Sequence, residues 1–155
     1  MTNRDRAPAQ VEIETELDYT ASLVTHKFTA ETMKTSTRLY TDDEGESHFA
    51  DLAIDLSLSD YAPPAPPLEL SSFTPATQFG FMNAPAGWSS SWHPSSGRNL
   101  FVVLSGEWEV TASDGESRRF PAGSVLLVED TTGRGHSSRV IGERGSLAIM
   151  VQLGE

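Results

Sequence analysis

Two histidines, His93 and His136, are the residues of this chain best suited to proton chemistry, because imidazole is the side chain whose ordinary pKa lies nearest neutrality. His93 follows a serine run and precedes a Pro/Ser/Gly/Arg turn in WSSSWHPSSGRN, and His136 ends the long approach FPAGSVLLVEDTTGRGH. Facing one cavity, two imidazoles can divide acid and base duties between them. Trp88, Trp92 and Trp108 surround the first histidine in sequence, and Phe81 lies shortly before it. Their flat rings suit an aromatic or polycyclic apolar ligand better than a sugar phosphate or nucleotide, although core filling is the competing use of such residues. Arg98 and Asn99 are candidate donors to a developing oxyanion.

Strands must position these residues. Residues 101–104 are an apolar run and residues 107–110 alternate, so FVVLSGEWEV reads as a hairpin of two strands pivoting at Gly106. Upstream, TRLYTDDEGESHFADLAIDLSL reads as a strand, an acidic glycine turn and a longer strand opened by His48. That histidine is either a third imidazole reaching the cavity or a strand-end residue bonded to a turn, and nothing in its spacing aims it at His93. Prolines crowd residues 62–75 and predict a loop, which Leu68, Leu70 and Phe73 would hold against the domain. QFGFMNAPAGW resumes a strand, Asp114-Gly115 predicts an antiparallel turn, and the rest of the chain reads as further strands around glycine turns. The Gly133–Gly135 triplet opens no helix, so it lacks the helix N-terminus of a phosphate loop.

About nine or ten short strands and no long helix predict an all-β barrel or jelly roll. It is expected over residues 35–155 as a single domain. Residues 1–34 are expected to form an N-terminal arm or flexible tail. Within them VEIETELDY alternates as a strand does when it adds to a sheet edge, and His26 reads as a surface residue.

With 155 residues, 37% of them hydrophobic, the chain can bury one core. It has no cysteine, which excludes disulfides and thiolate chemistry and leaves any metal to nitrogen and oxygen ligands. A net charge of −11 disfavours nucleic acid and anionic lipid as partners. No window is apolar for long enough to span a bilayer, and MTNRDRAPAQ lacks the apolar run of a secretory signal, so a cytoplasmic location and no membrane contact are expected.

Residues 71–153 resemble the two sequence motifs of the cupin superfamily, small β-barrels that carry a site in the mouth. The first motif has two histidines one residue apart and a glutamate ahead of the hairpin glycine; the second supplies a histidine that completes a metal site. Counted this way, His93 is the second histidine of the pair, Ser91 stands at the first, Asn99 replaces the glutamate and His136 is the later histidine. GESHF, WHP and EDTTGRGH look like those of small single-domain bacterial cupins. Two imidazoles with an amide and no carboxylate suit a divalent ion poorly, so no metal cofactor is expected. The alternative is one divalent transition metal on His93 and His136, with Glu129 or His48 as replacement ligands.

What the resemblance implies is a homodimer-forming enzyme of secondary metabolism, an isomerase, lyase or cyclase acting on a small molecule. It would move protons on a mostly apolar metabolite, as the cupin-type cyclases of aromatic polyketide pathways do, with His93 and His136 as acid–base partners. Two other functions remain open, a ligand-binding or regulatory cupin without turnover and a metal-dependent oxygenase.

Overall fold

The protein is described by a computed structural model covering residues 35–154, so the expected arm and His26 lie outside the described residues. These residues form eleven strands and no helix: β1 (Thr35–Thr41), β2 (Ser47–Ala53), β3 (Ser57–Ser59), β4 (Leu68–Leu70), β5 (Ala76–Ala84), β6 (Asn99–Ser105), β7 (Glu107–Ala112), β8 (Ser117–Pro121), β9 (Val125–Glu129), β10 (His136–Ile141) and β11 (Ser146–Leu153). Alternation along the chain sets which face is buried. Asn99, Phe101 and Val103 of β6 point inward, as do Trp108, Val110 and Ala112 of β7 and Leu126 and Val128 of β9.

The strands make a six-stranded sheet in the order β2-β1-β9-β6-β11-β5 and a three-stranded sheet in the order β10-β7-β8. Pairing is antiparallel except between β1 and β9. The apolar inner faces of the two sheets meet in one core. Phe101 meets Trp108 edge-on with ring centroids 5.4 Å apart, and Phe49 lies 6.0 Å from Phe120. Burying a side chain of this size stabilises the fold by about 1.5–3 kcal/mol. The indole N–H of Trp108 donates to Ser146 Oγ at 2.6 Å, so its one polar atom is satisfied in the interior. This two-sheet arrangement is the jelly roll that the alternation predicts. No helix among the described residues is long and apolar enough to cross a membrane.

Two local expectations change. Gly106 is not the tip of a hairpin: β6 belongs to the larger sheet and β7 to the smaller, so the glycine turns the chain from one sheet to the other. Its φ is +76°, and a Cβ there would lie 2.7 Å from the Gly145 carbonyl oxygen, so this corner needs glycine. The proline-rich stretch contains a strand, since Leu68, Glu69 and Leu70 carry free backbone donors and pair with Ser57–Ser59 as a two-stranded ribbon. Leu68 and Phe73 are exposed, so they do not hold it against the core.

His48 is the turn-bonded residue, not a third imidazole of the cavity. Its Nε2 lies 2.8 Å from Asp42 Oδ2, in the turn after β1, and its Nδ1 lies 2.7 Å from Asp114 Oδ2, in the turn after β7. It thereby links the two sheets at one end. The hydrogen bond that His48 donates to Asp42, then the one it donates to Asp114, raises the His48 pKa above its usual value. A raised folded-state pKa gives stability that is complete below the unfolded-state value and disappears as pH rises through the folded-state value. His48→Gln should therefore lower the melting temperature by a few degrees at about pH 6 and by less above about pH 9, compared by calorimetry at the two pH values.

Candidate functional site

The inner faces of both sheets enclose a cavity of about 230 Å³. Met82, Phe101, Trp108, Val110, Leu126, Val128 and Met150 make its apolar wall, and Trp88 stands at its side with its ring 5.3 Å from that of Trp108. Polar groups gather at one end: His93, Ser95, Asn99 and His136.

Backbone geometry holds that end together. His93 N–H donates to the His136 carbonyl and His136 N–H donates to the His93 carbonyl, each at 3.0 Å, an isolated antiparallel bridge between a loop and the start of β10. The residue before His136 makes this approach achievable. Gly135 has φ +70°, and a Cβ on it would sit 2.1 Å from the His93 carbonyl oxygen. Beneath it, the buried Ser47 hydroxyl donates to the Gly135 carbonyl at 2.7 Å. The Gly133–Gly135 triplet thus serves close backbone packing.

The bridge brings the imidazole centroids to 4.8 Å, with the rings inclined at 49°. His93 is exposed, and its Nδ1 lies 2.8 Å from the Ser91 carbonyl; a carbonyl only accepts, so Nδ1 carries the hydrogen. The His136 side chain is 12% exposed, and its Nδ1 lies 2.6 Å from Oδ2 of the fully buried Asp130. Both rings are anchored through Nδ1, and neither Nε2 has a hydrogen-bond partner among the described residues.

Asn99 is oriented just as firmly. Ser95 Oγ donates to the Gly97 carbonyl at 2.7 Å, so it can only accept from Asn99 Nδ2 at 3.0 Å, and the Gly97 carbonyl accepts from the same Nδ2 at 2.8 Å. The amide nitrogen is used up, and Oδ1 is buried with no partner among the described residues. Asn99 therefore lines the cavity but offers no donor to an oxyanion.

Of the residues named from sequence, His93, His136, Asn99, Trp88 and Trp108 meet at the cavity. Three do not. Arg98 turns outward, donating from Nε and Nη2 to Glu129 Oε1 at 2.8 and 2.6 Å, because it precedes the inward-facing Asn99 and so takes the outer face. Phe81 is 67% exposed beside Phe79 on the outer face of β5, where the same alternation sends Met82 inward. Trp92, 53% exposed, faces a separate shallow depression with Ser113 and Arg134. Neither replacement metal ligand reaches the cavity: His48 is held by its two aspartates, and Glu129 pairs with Arg38 and Arg98. Desolvation pushes Glu129 up, but hydrogen bonds and charge from Arg98 and Arg38 outweigh it and hold the carboxyl below the usual carboxylate range.

Two residues escaped the sequence reading. The cavity takes Ser95 and not Ser91, whose contribution is its carbonyl to the His93 ring. The expected pairing of His93 with Ser91 at the cavity is thus replaced by His93 with Ser95. Asp130 continues the inward series of Leu126 and Val128, and that period of two was the signal available for it. As a metal site the set fits poorly. It offers two imidazoles, a hydroxyl and one orphaned amide oxygen, and no cluster of three or more His, Asp or Glu able to hold an ion occurs among the described residues.

An inner-face polar site between the two sheets defines the class: the fold is a β jelly roll that carries a site on its inner face. Similar solved structures include the cupin domain of Cnp3 from Schizosaccharomyces pombe, at 16% identity and TM-score 0.44, covering 78% of this chain and 83% of that one. Another is a Cupin 2 conserved barrel domain protein from Salinispora arenicola, at 19% identity and TM-score 0.43, covering 66% and 81%. A cupin superfamily protein from Desulfitobacterium hafniense shares 19% identity at TM-score 0.41, covering 55% and 73%. The class statement rests on this chain's own strand order and site. No protein-family model and no curated protein matches the sequence significantly.

Gly135→Ala should disrupt the histidine bridge and lower unfolding free energy by more than about 2 kcal/mol, because it adds a backbone clash to the usual cost of positive φ. Gly123→Ala provides the control, since Gly123 also has positive φ (+91°) but open space around its Cβ position. Urea unfolding of both variants should show the larger loss at Gly135.

Proposed function

We propose that this chain is a small cupin enzyme, working in the cytoplasm, that moves protons on an uncharged, mostly apolar metabolite through His93 and His136. The observation that carries the reading is the shared anchoring of the two rings through Nδ1, which leaves two Nε2 atoms for one largely apolar cavity. With its hydrogen on Nδ1, neutral His93 has a lone pair on Nε2 and can take a proton from carbon next to a carbonyl. His136, carrying a second proton on Nε2 as the imidazolium, can give that proton to another atom of the same substrate, and exchange with solvent then removes the proton from His93 and restores the one on His136. Return to a different carbon gives an isomerisation; return to a departing hydroxyl breaks the C–O bond and releases water. A cyclisation uses the same removal, with the carbanion closing a ring onto a second carbonyl whose oxygen is then protonated.

The substrate class follows from the wall. Among the described residues neither arginine nor lysine lines the cavity, so a phosphate or carboxylate would meet no counter-charge from them and would lose its hydration. Trp88, Phe101 and Trp108 favour an aromatic or polyketide-like body. With Arg98 outside and the Asn99 amide nitrogen committed, charge developing on oxygen is left to the imidazoles.

Deuterium incorporation from heavy water into 2-tetralone, followed by NMR, tests proton removal without requiring the natural substrate. Wild type should accelerate exchange, and His93→Ala or His136→Ala should slow it by about 100-fold or more with nearly unchanged melting temperature. Exhaustive chelation should leave the rate intact. Saturable 2-tetralone binding with no exchange would replace the enzyme by a ligand-binding barrel, and loss of exchange on chelation would replace it by a metalloenzyme.

Ser95→His combined with Asn99→Glu should rebuild a charged cupin ligand set. Elemental analysis should then find about one divalent transition metal per chain where wild type retains far less.

A further inference from the structure

The proton-transfer reading leaves one buried group without a role, the Asp130 carboxylate. Its side chain is fully buried, Oδ2 accepts from His136 Nδ1 at 2.6 Å, and Oδ1 has no partner among the described residues. We propose that Asp130 is a positioning residue: it fixes His136 as the Nδ1–H tautomer and so reserves Nε2 for the cavity. The assignment rests on the proton-transfer reading of the same site.

A charge taken out of water and given a single hydrogen bond is a poor structural device, since an apolar side chain of similar size would fill the space without the desolvation cost. Asp130 is well suited to orienting a ring. A neutral histidine left to itself favours the hydrogen on Nε2, which would turn the working nitrogen into a donor with no lone pair to offer. A carboxylate beside Nδ1 reverses that preference, because it can only accept.

The two histidines are not equivalent in this respect. The anchor of His93 is the neutral carbonyl of Ser91, two residues away on an exposed loop, whereas the anchor of His136 is a buried anion. Positive charge arriving with a proton on His136 Nε2 would lie next to that anion; the same charge on His93 has only a dipole beside it. Asp130 also acts through its backbone, whose carbonyl accepts from Ser95 N–H at 2.9 Å. One residue thereby sets both the His136 ring and the turn that presents Ser95.

Ring-nitrogen NMR of the ¹⁵N-labelled full-length chain, paired with the 2-tetralone exchange rate, tests this. In wild type the neutral His136 ring should carry its hydrogen on Nδ1. Asp130→Leu should shift it toward the Nε2–H form and slow exchange about tenfold or more, with KM and melting temperature little changed. Should Asp130→Leu fail to fold, Asp130→Asn decides: its amide oxygen can keep the tautomer, and loss of the charge should still slow exchange about tenfold. A wild-type His136 found in the Nε2–H form would overturn the assignment, as would variants that exchange at the wild-type rate per folded molecule. A wild type with the Nδ1–H tautomer but no exchange would leave Asp130 in its place and remove the proton-transfer reading.

Discussion

Everything at the candidate site depends on two backbone hydrogen bonds between His93 and His136. They join a loop that belongs to no sheet to the first residue of a strand in the smaller sheet, and so fix the polar end of the cavity. Side chains alone would hold such a loop weakly, because each exposed hydrogen bond is nearly matched by one to water. A backbone bridge seated on a glycine is stiffer, and it sets the ring separation through the main chain. Similar packing recurs one turn away, where Arg134 N–H donates to the Gly45 carbonyl and Gly133 lies against Gly45.

The same alternation that builds the core separates charge from cavity. On β9, Val125, Leu127 and Glu129 take one face, Leu126 and Val128 the other, and Asp130 continues the inner series beyond the strand end. Arg38, Arg98, Arg118, Arg119 and Arg139 consequently end up outside, paired with Glu129, Glu109, Glu116 and Asp51, while the interior keeps imidazole, amide and hydroxyl groups and the Asp130 carboxylate. An acidic protein can hold a nearly neutral cavity in this way, since its excess carboxylates lie on faces that water screens.

Strands were legible in the sequence wherever side chains alternate, and the Asp114-Gly115 turn was legible because it demands a positive φ. The histidine pair was legible from residue type. What failed had one of two causes. Gly106 looked like a hairpin because a glycine between two strands has the same local signature whether the chain returns beside itself or crosses to another sheet; only long-range pairing decides. Arg98, Phe81 and Trp92 were grouped with the site by nearness in sequence, yet each occupies a position whose neighbour faces inward. Asp130 was passed over for the opposite reason: a carboxylate at the end of an apolar strand reads as a surface terminator unless the inward series is followed one step further.

Glu129 and Asp130 are consecutive acids with opposite fates, one clamped outside by two arginines and the other sealed inside against a ring. This juxtaposition constrains how the gene can change length. One codon gained or lost within β9 would rotate the strand end by half a period and exchange the two carboxylates, stranding both arginines and the imidazole together. Indels at that end should be tolerated only at the exposed Thr131 and Thr132, ahead of the glycine that seats the bridge.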